Sequence, residues 1–153
     1  MKTLAVFEID GVLDLSARAA GVAKQALRDP DWEIAFVTAR QPSRAQETLA
    51  FLVERLKTSK YPKPAPTFWC GRESLASTVT QKIMVFQSLI RQHHSVDRVV
   101  CYDRDENALF GYDAFVRGRK HPRSFSFYRV ESNGEPTVLS GSAVYIQRGP
   151  SEF

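Results

Sequence analysis

The stretch Thr3 to Leu13, TLAVFEIDGVL, decides how the rest of the chain is read. From Thr3 to Ile9 it is β-branched and apolar, the composition of a buried strand, and it runs straight into Asp10-Gly11, a turn pair. Such a strand carries the carboxylates of Glu8 and Asp10 to the point where a buried element reaches the surface. In open α/β sheets, ligands bind outside the carboxyl ends of the strands.

Outward from this stretch, strands and helices alternate. Ser16 is placed to cap a helix through about Arg28, closed by Asp29-Pro30, and Trp32 to Thr38 (WEIAFVT) predicts a second buried strand. Pro42 and Ser43 open a helix on which Ala45, Leu49, Leu52, Val53 and Leu56 keep the three-and-four spacing of one apolar face. Ser59 to Pro66 (SKYPKPAP) is too proline-rich for a helix and predicts an extended loop, followed by a short strand at Thr67 to Cys70. Val79, Ile83, Phe86 and Ile90 line a third helix. Val96 to Tyr102 predicts a strand ending at Asp103, and Glu106 to Val116 a further helix. This rhythm predicts an α/β fold of right-handed βαβ units, a three-layer, Rossmann-like parallel sheet covered on both faces. After Pro122 the pattern changes: Phe125, Phe127 and Tyr128 predict a strand, Asn133-Gly134 a hairpin turn, and Thr137 to Gln147 the returning strand. The expected organisation is one domain over residues 1–148 with a C-terminal β-hairpin, and a flexible tail over 149–153.

Composition agrees with that plan. At 153 residues, 43% hydrophobic and 25% charged, the chain fits one globular domain and excludes disordered, collagen-like and coiled-coil classes. A domain of this length buries roughly 68–70% of its unfolded-chain surface, so no disulfide framework is required. Cys70 and Cys101 sit inside apolar stretches, as buried thiols in a reducing compartment do, which predicts a cytoplasmic location. Apolar runs are short and Glu8 and Asp10 come early, so neither a membrane segment nor a signal segment is expected. With 21 bases against 17 acids the net charge is +4, favouring an anionic partner. The cluster Arg117, Arg119, Lys120 and Arg123 is either part of such a contact or a solvated loop.

The chemistry gathers at strand ends: Glu8 and Asp10 at the first, Thr38 at the second, Asp103 and Asp105 at the fourth, with Lys82 on the helix between. Acids brought together this way repel unless a cation or a proton intervenes, and oxygen donors suit a hard ion such as Mg²⁺. A lysine and a hydroxyl beside them are what a phosphoryl group requires, since its transfer depends on neutralising charge on the equatorial oxygens. Taken singly, each has an ordinary reading: Asp10-Gly11 a turn, Thr38 a strand-end residue, Lys82 a solvated helix residue. Asp105 is either a helix cap or a metal ligand. His93 and His94 read as partners of a helix C-terminus, and His121 has no evident partner. There is no Ser/His/Asp signature and no glycine-rich phosphate loop.

In motif order, this constellation resembles the haloacid dehalogenase superfamily over about Lys2 to Arg119. Val6-Phe7-Glu8-Ile9-Asp10-Gly11-Val12-Leu13 resembles its first motif, Ile34 to Thr38 its second, Lys82 its third, and Val99 to Asp105 its fourth. Val37-Thr38-Ala39-Arg40 and Tyr102-Asp103-Arg104 are similar to segments of end-healing phosphatase domains of polynucleotide kinases and related RNA-repair proteins. The resemblance implies that residue 8 is the phosphate-accepting nucleophile and Asp10 the acid/base, with Thr38 and Lys82 holding phosphoryl oxygens. It further implies Mg²⁺ held by Asp103, the residue-8 carboxylate and the backbone carbonyl of Asp10.

One departure lies at the centre of that mechanism: Glu8 stands where the family has Asp. The extra methylene moves the carboxylate by on the order of 1.5 Å, and a misplacement of about 1 Å costs about 10²-fold in rate. Three readings follow: a slow phosphatase, a catalytically inactive module that keeps the phosphate site, or a chain whose nucleophile was replaced to trap a complex. Tyr102 is a second departure, standing where the repair-type domains carry an acid. The connections after Asp10 and around Tyr61 to Pro66 are too short for a cap domain, so the expected site is open. An open site favours a phosphate presented on a macromolecule, and the positive charge favours nucleic-acid ends. Arg40 and Arg44, just past Thr38, are placed to contact such phosphates. An acidic-pocket receiver or nucleotide-binding domain is the more distant alternative.

Overall fold

In the computed structural model, residues 2–58, 65–71, 77–117 and 123–139 and the backbone of 145–146 are described. The strands are β1 (Thr3–Glu8), β2 (Trp32–Thr38), β3 (Thr67–Trp69), β4 (Arg98–Asp103), β5 (Ser124–Val130), β6 (Pro136–Val138) and β7 (Tyr145–Ile146). The helices are α1 (Ala17–Arg28), α2 (Ala45–Leu56), α3 (Thr78–Gln92) and α4 (Glu106–Arg117). The strands form one sheet in the order β3-β2-β1-β4-β5-β6, with β7 also on β5. β1 to β5 pair in parallel, whereas β6 and β7 run antiparallel to β5. The α/β class and the mostly parallel sheet therefore stand as expected.

Every residue of β1 is buried, because successive side chains of a central strand enter opposite cores. Leu4 and Val6 join Phe86, Leu89, Leu109 and Tyr112 of α3 and α4, while Ala5 and Phe7 join Ala19, Ala23 and Leu27 of α1 and Leu52 of α2. Alanines on the inner side of α1 let the helix lie close to the strands, and Ser16 caps it, its Oγ accepting from the Ala19 N–H at 3.0 Å. Burying a Leu or Phe side chain in these cores contributes roughly 1.5–3 kcal/mol each.

Four local readings change. β1 ends at Glu8, and Ile9–Leu13 forms a wide helical turn in which Gly11 takes φ +78°. The positive φ favours glycine at this position, and a Cβ there would also make the exposed Arg104 side chain move aside. Pro42–Arg44 is a single 3₁₀ turn, and α2 begins at Ala45. Of the predicted face of α2, Leu52 and Leu56 are buried beside Thr48, whereas Leu49 and Val53 remain 50% and 43% exposed. The helix is rotated to turn Thr48 inward.

The Asn133-Gly134 turn forms, but the returning strand pairs with β5 in two short pieces, Pro136–Val138 and Tyr145–Ile146. The expected loop at 59–64, Arg119, Lys120, His121 and the tail at 149–153 lie outside the described residues. Cys70 and Cys101 are buried free thiols. Among the described residues no helix is long and apolar enough to cross a membrane.

Candidate functional site

The carboxyl ends of β1, β2 and β4 meet α3 around two groups of side chains. In the first, Lys82 Nζ donates to Glu8 Oε1 at 2.9 Å and to Asp103 Oδ1 and Oδ2 at 3.2 and 3.0 Å. All three residues are almost wholly shielded, at 2%, 4% and 3% exposure for Lys82, Glu8 and Asp103. Lys82 lies in the second turn of α3, whose inner side faces the sheet between Phe86 and the strand ends, so the ordinary solvated reading of this lysine does not hold. Backbone donors complete the group: Arg104 N–H reaches Glu8 Oε2 at 3.3 Å, and Asp105 N–H reaches Asp103 Oδ1 at 2.8 Å.

Two carboxylates share one ammonium here, so full ionisation leaves one negative charge uncompensated in a buried place. Burial, then the hydrogen bond and charge of Asp103, push the Glu8 carboxyl from its ordinary 4.5 up to about 9; Lys82 pulls the other way without offsetting them. Burial opposes the charge on Lys82 too, but Asp103 and Glu8 outweigh it and raise the lysine above its ordinary value.

The raised Glu8 value has a stability consequence. The folded state holds a proton that the unfolded chain releases near 4.5, so this contribution is full below about pH 4.5 and is lost as pH rises towards about 9. Glu8→Gln, which keeps the hydrogen bonding without the ionisation, is expected to flatten that loss. Urea denaturation at pH 5 and pH 9 should show wild type losing at least about 1.4 kcal/mol more than the variant, the equivalent of one pKa unit. Equal losses would mean that Glu8 is ionised throughout.

The second group is centred on Asp10. Arg40 Nε donates to Asp10 Oδ1 and Oδ2 at 2.9 and 3.2 Å, Arg40 Nη2 lies 2.9 Å from Oδ1, and Thr38 Oγ1 donates to Oδ2 at 3.2 Å. Thr38 also accepts from the Arg40 N–H at 3.1 Å. The same guanidinium donates from Nη1 to Thr48 Oγ1 at 3.1 Å and lies over the Phe51 ring at 5.7 Å. This explains the rotation of α2: Thr48 is buried because it receives Arg40. The sequence-based expectation placed Arg40 on phosphate; in the structure its guanidinium is committed to Asp10, Thr48 and Phe51.

Glu8 and Asp10 both border a cleft of about 630 Å³, rimmed by Gly11, Asp14, Leu15, Arg40, Arg44 and Arg104. Gly11 N–H donates to Asp14 Oδ1 at 2.7 Å, which holds the turn, and the Arg104 stem lies against Gly11. Arg44 is paired with Glu47 at 2.7 Å on the exposed start of α2. Asp105 accepts from the Asn107 N–H at 2.9 Å, the cap role rather than a ligand role. Among the described residues no three Asp, Glu, His or Cys side chains converge as a metal-binding group, because Asp10 faces Arg40 and Thr38 while Glu8 and Asp103 face Lys82.

Arg104, Asp14 and Thr48 are site residues that sequence reading passes over. Arg104 directly follows the end of β4 and lies against Gly11; Thr48 is a buried polar residue beside Leu52 and Leu56 on the inner side of α2. No protein-family model, curated protein or solved structure matches the chain.

Proposed function

We propose that the chain is a haloacid-dehalogenase-like, three-layer α/β domain whose cleft takes the terminal phosphate of a macromolecule, in the manner of a nucleic-acid 3′-phosphatase. One observation carries the reading: Glu8, Asp10, Thr38, Lys82 and Asp103, far apart in sequence, gather at one end of the sheet beside an open, arginine-rimmed cleft. An anion entering there meets Arg44 and Arg104, and the openness suits a phosphate carried on a long chain. The buried free thiols agree with a cytoplasmic setting.

Glu8 and Asp103 are hard-oxygen donors of the type Mg²⁺ takes, but both are turned to Lys82, which supplies the positive charge there, so an ion would have to displace the ammonium. Glu8 and Asp103, with the Asp10 main-chain carbonyl, would hold it, and the ion would supply neutralisation of the phosphoryl oxygens. In the hydrolytic step a residue-8 carboxylate oxygen bonds to phosphorus as the ester P–O bond breaks. Asp10 would give a proton to the departing oxygen and then take one from the water that releases phosphate, a role that requires Arg40, which holds it as a carboxylate, to let it go.

A second reading, a silent phosphate-binding module, is favoured by the enclosure of Glu8: its oxygens are taken up by Lys82 and the Arg104 N–H, and its carboxyl is held towards the protonated form. Calorimetric binding of a 3′-phosphorylated oligonucleotide, with phosphate release measured in Mg²⁺, tests both. The expected result is binding that weakens about tenfold or more without the terminal phosphate, since charge-assisted contacts to it are lost. Binding without release would select the silent module; neither binding nor release would overturn the proposal.

A further inference from the structure

A second groove of about 390 Å³ lies between α1 and the β4–β5 strands, bordered by Arg18, Gly21, Gln25, Tyr102, Tyr128 and Pro136. Its base is an aromatic series that the strand register produces. Phe7 stands opposite Tyr102, and Tyr102 opposite Tyr128. The rings stack in turn, Phe7 on Tyr102 at 5.1 Å and 11°, and Tyr102 on Tyr128 at 4.9 Å and 16°. Phe7 is wholly buried, whereas both tyrosines are half-exposed. The stack begins in the core at Phe7 and ends at the groove, where Tyr128 is its outermost ring.

The rest of the lining suits a nucleotide. Gln25 is exposed and offers an amide donor and acceptor; Arg18 is exposed and makes a surface ion pair to Glu135 at 3.1 Å. Among the described residues nothing lies within 4 Å of where a Cβ on Gly21 would sit, so they leave the helix side of the groove open. Burial pushes the Tyr102 hydroxyl up to about 12, which keeps it a donor at neutral pH.

The groove adjoins the phosphate cleft along two independent lines of chain. Leu15 borders the cleft and Arg18 the groove, about one helical turn apart. Tyr102 borders the groove and Arg104 the cleft, two residues on, roughly 7 Å at strand spacing. We infer that this groove holds the nucleotide next to the terminal phosphate, so that the ligand read by cleft and groove together is a single-stranded polynucleotide end. The inference rests on the phosphate reading of the cleft and adds a second subsite, for the neighbouring nucleotide, and the single-stranded form of the end. Tyr102 is sandwiched between Phe7 and Tyr128, so the ring that meets a base of any sequence is Tyr128, the outermost of the stack, while Arg18 serves the backbone. A phosphopeptide would use the cleft without needing the aromatic groove.

Gly21→Trp tests this without threatening the fold, because it fills open space and removes a glycine from a helix interior. Fluorescence anisotropy would compare a short 3′-phosphorylated oligothymidylate, thymidine 3′-phosphate and a phosphoserine peptide. Expected is at least a tenfold loss of oligothymidylate affinity in Gly21→Trp. Arg18→Ala should give a shallower salt dependence, by about one in the log–log slope, with competition by inorganic phosphate at the cleft unchanged. Unaltered oligothymidylate affinity in both variants, or a phosphopeptide bound as tightly as the oligothymidylate, would overturn the groove assignment and leave the cleft reading standing. Failure of wild type to bind any of the three phosphate probes would end both.

Discussion

Replacing Glu8 by Asp is expected to raise the rate of phosphate release from a 3′-phosphorylated oligonucleotide by about 10²-fold, measured with Mg²⁺ present. The longer side chain lets the Glu8 carboxylate reach Lys82 at 2.9 Å inside the protein, where burial and Asp103 hold it towards the protonated form. A protonated carboxyl is a poor nucleophile, and a group displaced by about 1 Å forfeits about two orders of magnitude in rate. Aspartate draws the carboxylate back by on the order of 1.5 Å, towards the cleft end of β1. A Glu8→Asp variant that is folded by circular dichroism and binds the oligonucleotide, yet releases phosphate no faster than wild type, would remove hydrolysis from the proposal and leave the binding module.

Lys82→Met should be the most damaging change to stability. It leaves Glu8 and Asp103 facing each other in a buried site without their shared cation, and breaking a buried pair in this way costs about 3–5 kcal/mol. Without the lysine's opposing pull Glu8 favours protonation more strongly, so the loss should be smallest near pH 5 and grow towards pH 9. Adding Glu8→Gln and Asp103→Asn to Lys82→Met should restore most of it, because no uncompensated charge remains. Urea denaturation at pH 7 provides the measurement. A loss below about 1 kcal/mol would show that the trio is not the buried, mutually dependent group described above.

Both expectations depend on pairings that local sequence does not contain. The element order was legible because each signal is local: the unbroken apolar run of β1, the Asp29-Pro30 stop, the proline barrier after α2, the Asn133-Gly134 turn. The polar ends of three strands were legible too, since Glu8, Asp10, Thr38 and Asp103 each interrupt an apolar run. Where local reading went astray, a distant partner was responsible. Leu49 and Val53 fit an apolar face by spacing, yet α2 turns Thr48 inward because Arg40 needs its hydroxyl. Arg40 itself read as a free phosphate contact until Asp10, thirty positions earlier, claimed it.

By itself, then, the amino-acid order determined an α/β chain with a mostly parallel sheet and acids at its strand ends, since hydrophobic periodicity and turn chemistry act over a few residues. The tertiary structure decided which of those acids share Lys82, which one Arg40 holds, and that an aromatic stack opens beside the cleft. Glu8 and Lys82 are 74 positions apart, and Tyr102 meets Phe7 and Tyr128 only through the sheet register. Charge, desolvation and ring contact act through space, so their outcome depends on which strands become neighbours rather than on which residues are adjacent in the chain.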